Sequence, residues 1–73
     1  MQLYPNPTSD YFKLDIATSK VEIYSISGKL VSSFDKNQEV GFQFSVNNLE
    51  NGLYLIKVSG RNEEQKVFKL FKN

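Results

Sequence analysis

The chain has no histidine, no cysteine and no tryptophan, and its 73 residues include only two prolines and four glycines. Without imidazole or thiolate it lacks the usual transition-metal ligands, the commonest general base at neutral pH, the cysteine nucleophile and any disulfide. Zinc, haem and triad chemistry are thereby excluded, and no metal or cofactor site is expected. The lack of cysteine leaves the redox compartment open. Neither sign of charge prevails: nine Lys and Arg against eight Asp and Glu give a net charge of +1, so the overall field steers towards neither nucleic acid nor an acidic partner. No apolar run approaches the roughly 20 residues that span a bilayer, and no basic segment followed by an apolar stretch opens the chain. A domain of this length buries only about 60% of the surface its unfolded chain exposes. That argues for one domain over residues 1–73 and against a deep catalytic cleft.

What the chain does have is alternation. Phe12, Leu14 and Ile16 alternate with Tyr11, Lys13 and Asp15, the period-two pattern of a half-buried strand. The preceding segment, Tyr4 to Asp10, holds Pro5 and Pro7, which fix their own φ and push their predecessors towards extended geometry. It reads as a turn after a very short edge strand at Gln2 to Tyr4. The runs Val21 to Ile26 and Lys29 to Phe34 flank Ser27 and Gly28, where glycine supplies the positive φ of a hairpin turn. The register of this hairpin stays open. A loop of two or four residues sets Val21 and Ile23 on the face of Leu30 and Phe34, whereas one of three pairs them with Val31.

Asp35 to Gly41 reads as a polar loop, and Phe42, Phe44 and Val46 as a further alternating strand. Asn51-Gly52 closes a turn, after which Tyr54, Ile56 and Val58 face one way. Leu53 and Leu55 on the opposite face suggest a strand that is central or covered on both sides. Ser59 to Glu64 is another polar turn. The last nine residues, Gln65 to Asn73, also fit an amphipathic helix, but fall short of the roughly 12 to 15 at which isolated helices become marginal, and the strands before them favour a terminal strand. The pattern predicts an all-β fold, an immunoglobulin-like antiparallel β-sandwich of about seven short strands.

Candidate chemistry is sparse. Asp10 lies in a turn and Asp15 on an outward strand face, and no loop around them or Asp35 has calcium-binding spacing. Ser27, Ser32 and Ser33 have no base to activate them. A stacking platform for sugars or bases would need Tyr4, Tyr11, Tyr24 and Tyr54 together, but Tyr24 and Tyr54 sit in alternating strands as core or cross-strand residues. Lys66, Lys69 and Lys72 make the C-terminal end locally basic; composition favours edge protection over attraction to an acidic or phosphorylated surface.

Four blocks in order are specific: Tyr4-Pro5-Asn6-Pro7; Val21-Glu22-Ile23-Tyr24 with Gly28-Lys29-Leu30-Val31; Leu49-Glu50-Asn51-Gly52-Leu53-Tyr54-Leu55-Ile56-Lys57-Val58; and Lys66-Val67-Phe68-Lys69-Leu70. Together they resemble the type A C-terminal sorting domain of the type IX (Por) secretion system of Bacteroidota-type bacteria. The resemblance implies a non-enzymatic C-terminal secretion signal that directs an N-terminal cargo across the outer membrane. It implies two partners, the outer-membrane translocon and a sortase-like cysteine peptidase that commonly cuts just upstream, so that cargo is released or anchored. It also implies transit through the periplasm and a final place at the cell surface or outside the cell, with no nucleic acid and no direct membrane insertion.

Carried over by residue, the family's first motif falls on Pro5, Asn6 and Pro7, and its central motif on Ile23, Tyr24, Gly28 and Val31. Its late motif falls on Leu49, Gly52, Tyr54 and Lys57, and its terminal basic-apolar strand on Lys66 to Leu70. In physical terms most of these serve the fold, which leaves recognition to the outer face or edge of the C-terminal strand, by strand addition, with Lys66, Lys69 and Lys72 adding charge. Since Met1 stands just before the first block, the chain is expected to be a domain excised from a larger exported protein. Two other readings compete: an accessory β-sandwich that binds carbohydrate or spaces domains, and a membrane-active basic tail.

Overall fold

The computed structural model describes residues 1–73 and contains no helix. Its strands are β1 (Leu3–Tyr4), β2 (Tyr11–Leu14), β3 (Thr18–Ser25), β4 (Leu30–Phe34), β5 (Phe44–Ser45), β6 (Gly52–Gly60) and β7 (Gln65–Lys72). They form two antiparallel sheets, β1-β2-β5 and β4-β3-β6-β7. This is the sandwich expected from the alternation. In the constant-type immunoglobulin arrangement the fourth strand lies beside the fifth; here β4 lies beside β3 instead. The reason is the tight turn, in which Ser25 N–H bonds Lys29 O at 2.8 Å and Gly28, at φ 94°, bonds Ser25 O at 2.9 Å. So short a connection keeps both strands in one sheet.

That turn also decides the hairpin register, in a way neither simple alternative describes. The loop has three residues, Ile26 to Gly28, yet Tyr24 pairs with Leu30 while Ile23 pairs with Ser32. Val31 is the extra residue of a bulge, and the bulge restores parity. Val21 therefore lies opposite Phe34 on the inner face, and Val31 is exposed.

Other strand limits are shorter than the alternation suggests. β2 stops at Leu14: Asp15 N–H still bonds Gln2 O in register at 3.2 Å, but Gln2 N–H is taken by the Asp15 carboxylate at 2.6 Å. Ile16 still packs against the core. The expected strand from Phe42 to Val46 is only Phe44–Ser45: before it, Phe42 N–H turns to Glu39 O, and after it, Val46 N–H to Asp10 O carries the β2–β5 register one bond further.

Ten residues form the core: Phe12, Leu14, Phe44 and Val46 from one layer, and Val21, Ile23, Tyr54, Ile56, Val58 and Leu70 from the other. Phe44 stacks on Phe12 with centroids 5.0 Å apart and meets the edge of Phe34, on the opposite sheet, at 5.0 Å. Such pairs add about 0.5–1.5 kcal/mol beyond area burial. Near the start of β6, Tyr54 donates its hydroxyl to Glu50 O at 2.6 Å. This is the tyrosine corner of immunoglobulin-like sandwiches.

β7 shows how the faces divide. Leu70 is fully buried, whereas Val67 is 58% exposed on the other side of the same strand. Leu70→Ala should therefore cost about 2–5 kcal/mol and Val67→Ala under about 1 kcal/mol. Urea denaturation of the two variants checks this, and equal midpoints would contradict the placement of β7.

Candidate functional site

The free edge of β7 is where the two ends of the chain meet. Phe68, Leu70 and Lys72 face inward, opposite Ile56, Tyr54 and Gly52 of β6, and Lys66, opposite Val58, shares their parity but is exposed. The outward-pointing backbone groups belong to the odd-numbered residues, and Asn6 takes two of them. Its side-chain amide donates to Lys69 O at 2.7 Å, and its carbonyl oxygen accepts Phe71 N–H at 3.0 Å. Thr8 N–H then bonds Phe71 O at 2.9 Å and Asn73 N–H bonds Thr8 O at 2.9 Å. The Thr8 hydroxyl turns back onto Tyr11 O and is itself buried. Pro5 and Pro7, each after a cis peptide bond, flank Asn6 and contribute no N–H of their own. The segment from Pro5 to Thr8 thus covers the C-terminal half of the β7 edge and leaves the half from Gln65 to Val67 open.

The outer face of the four-stranded sheet carries four cross-strand rows, one of them Lys20, Ser59 and Gln65. Ser33, Glu22, Lys57 and Val67 form the next; Leu30, Tyr24, Leu55 and Lys69 form the third; Leu53 and Phe71 form the fourth. Val67, Phe71 and Leu30 are exposed at 58%, 54% and 47%. Lys20 approaches Glu22 at 3.5 Å, while Lys57 and Lys69 make no ion pair. Partial burial lifts the Tyr24 phenol above its ordinary pKa and the Glu22 carboxylate adds to the effect, so Tyr24 stays neutral and able to donate.

Nothing elsewhere has the form of a small-molecule site. The two depressions, of about 220 and 270 Å³, are open to solvent, and no group of three or more His, Cys, Asp or Glu is placed to hold a metal. The tyrosines do not assemble: Tyr54 is buried, Tyr24 lies on the outer face of the four-stranded sheet, and Tyr4 and Tyr11 belong to the other sheet, where Lys13 sits 5.6 Å over Tyr11.

The motif residues separate by role. Ile23 and Tyr54 are core, Leu49 packs against it, Gly28 and Gly52 hold positive φ at 94° and 150°, and Val31 is the bulge. Pro5, Asn6 and Pro7 form the edge cover. Tyr24, Lys57 and Lys69 share the outer face. The expected basic trio is not assembled: Lys69 is on the outer face, whereas Lys66 and Lys72 have inner parity at opposite ends of β7. Lys66 Nζ lies 5.1 Å over Phe68 and Lys72 is only 8% exposed. Strict alternation separates Lys69 from the other two. Sequence reasoning missed Leu30, Val67 and Phe71 as surface residues, while Leu53, expected opposite Tyr54, lies half-buried on that face. Their signal was adjacent apolar residues within one strand, which places apolar side chains on both faces.

A family model described as the secretion system C-terminal sorting domain matches residues 2–73. The chain belongs to this family. A sorting domain of this kind is a C-terminal signal for type IX secretion and not a catalytic unit. Among curated proteins, an ulvan lyase (NLR42) of Nonlabens ulvanivorans is 31% identical over 74 residues. Those residues cover 97% of this chain but only 14% of the lyase, so the likeness is to its tail region.

In the sorting domain, Asn6 gives and takes one bond at the β7 edge. Asn6→Ala should cost about 1 kcal/mol, lowering the melting point by about 4–8 °C. Asn6→Asp keeps the acceptor but turns an oxygen towards Lys69 O. Its carboxyl pKa should be raised in the folded state, so the stability lost at neutral pH should return as pH falls through that raised pKa and be fully regained below the ordinary carboxyl pKa. Thermal melts across pH check this, and a pH-independent Asn6→Asp variant as stable as the parent would contradict it.

Proposed function

We propose that this sorting domain is the folded C-terminal label of a larger exported protein. In this reading the cargo precedes residue 2, the whole crosses the periplasm, and the outer-membrane translocon of the type IX machinery recognises the folded domain. A sortase-like peptidase then separates the domain from its cargo. The observation that carries the reading is the meeting of the first and last motif blocks. Asn6 and Thr8 bond Lys69, Phe71 and Asn73, so the address is a three-dimensional unit made from both ends of the sequence.

The same contacts bear on how it is read. Strand addition needs a row of free backbone groups, and the edge cover leaves them only at the Gln65 end of β7. Recognition across the sheet face fits this geometry better than recognition along the edge. Lys72 then contributes to folding, and of the terminal lysines Lys69 on the outer face and the exposed Lys66 at the open end of β7 remain for contact.

Position distinguishes a sorting signal from an accessory sandwich. A periplasm-targeted reporter with residues 2–73 at its C-terminus should reach the surface or medium of a bacterium that has this secretion system. The same residues placed between targeting sequence and reporter should leave it in the periplasm. Retention of both fusions, with the domain folded, would overturn the proposal and favour the accessory role; equal export of both would show that terminal position is immaterial.

A further inference from the structure

We propose that the outer face of β3, β6 and β7 docks a protein surface that presents carboxylates around an apolar centre. The proposal rests on the sorting-signal reading and names the chemistry of the partner. Tyr24 with Leu55, and Leu53 with Phe71, form two neighbouring apolar rows, while Val67 stands between Lys57, its cross-strand partner, and Lys69; Val67 and Phe71 are more than half exposed. Isolated exposed apolar residues are ordinary on a small domain, but contiguous ones rimmed by charge mark interaction sites.

Charge identifies the occupant. Three lysines, Lys20, Lys57 and Lys69, share this face with one carboxylate, Glu22, which Lys20 approaches at 3.5 Å. Lys57 lies across from Glu22 without forming an ion pair with it, and Lys69, between Phe71 and Val67, forms none either. A second copy of the chain, docked face to face, would set these lysines against each other, and like charges in an interface are penalised. An anionic membrane is favoured by clusters of roughly four to eight basic residues, more than this face has. An apolar protein surface with acidic groups opposite Lys57 and Lys69 satisfies both features. The face is also the one turned away from the sheet that holds β1.

The test uses the C-terminal reporter fusion in a type IX-secreting bacterium, with thermal melts of each purified domain as the folding control. Lys57→Glu with Lys69→Glu, and separately Val67→Ser with Phe71→Ser, should each lower the exported fraction by roughly tenfold while the domain stays folded. Lys57→Arg with Lys69→Arg should export like the parent, as should Lys13→Glu on the opposite sheet. Export of the parent and of both folded face variants alike would overturn the docking face alone. A parent fusion that is not exported would remove the sorting reading, and this face with it. Charge-dependent flotation of the purified domain with phosphatidylglycerol vesicles, or dimerisation abolished by the face variants, would assign the surface to a membrane or a second copy and overturn the protein partner.

Discussion

The pairing of β6 with strands on both sides holds this domain together. β6 runs from Gly52 to Gly60, with β3 along one edge and β7 along the other. Its inward residues Tyr54, Ile56 and Val58 are all buried, and Leu70 and Ile23 extend the same rows on its neighbours. A chain without disulfides or metal must obtain stability from such a layer, because a domain this small has little interior to spare. The turn before β6 is accordingly the most constrained: Gly52 supplies the positive φ, and the Tyr54 hydroxyl ties the strand to Glu50.

Once β6 is central, β7 becomes an edge, and an edge needs protection. The chain uses its own N-terminal segment for this. Asn6 presents a donor and an acceptor on one planar amide, and these match the C=O of Lys69 and the N–H of Phe71 as a partner strand would. An alkyl side chain offers neither, and a hydroxyl carries both on one atom and does not span the two groups, which is a physical reason for an asparagine between two prolines. The motif residues of the family are thus mostly structural, and the surface left for a partner is defined by what they do not use.

Much of this was legible in the sequence. Period-two alternation located the long strands and their inner faces, as Phe12 with Leu14 and Tyr54 with Ile56 and Val58 illustrate, and the four motif blocks pointed to the family. The turn at Gly28 was visible, but its register was not, because a bulge at Val31 cancels the parity of a three-residue loop and leaves no mark in the pattern. The strand around Phe44 was overestimated because alternation reports which side chains face inward, not where backbone bonds go. The basic C-terminus looked like one patch only while its residues were counted along the chain; strand geometry puts Lys69 on one side and Lys66 and Lys72 on the other. The edge cover was beyond reach, since it joins residues 63 and 65 positions apart.

The central claim is that the secretion machinery reads this domain as a folded object, independent of its cargo. The most direct measurement is export of a native type IX cargo while residues 2–73 alone are produced in the periplasm in excess. The account predicts that the folded domain competes and native export falls, whereas a version carrying Ile23→Asp and Ile56→Asp, its loss of fold checked by circular dichroism, does not compete. Undiminished export in the presence of abundant folded domain would contradict it.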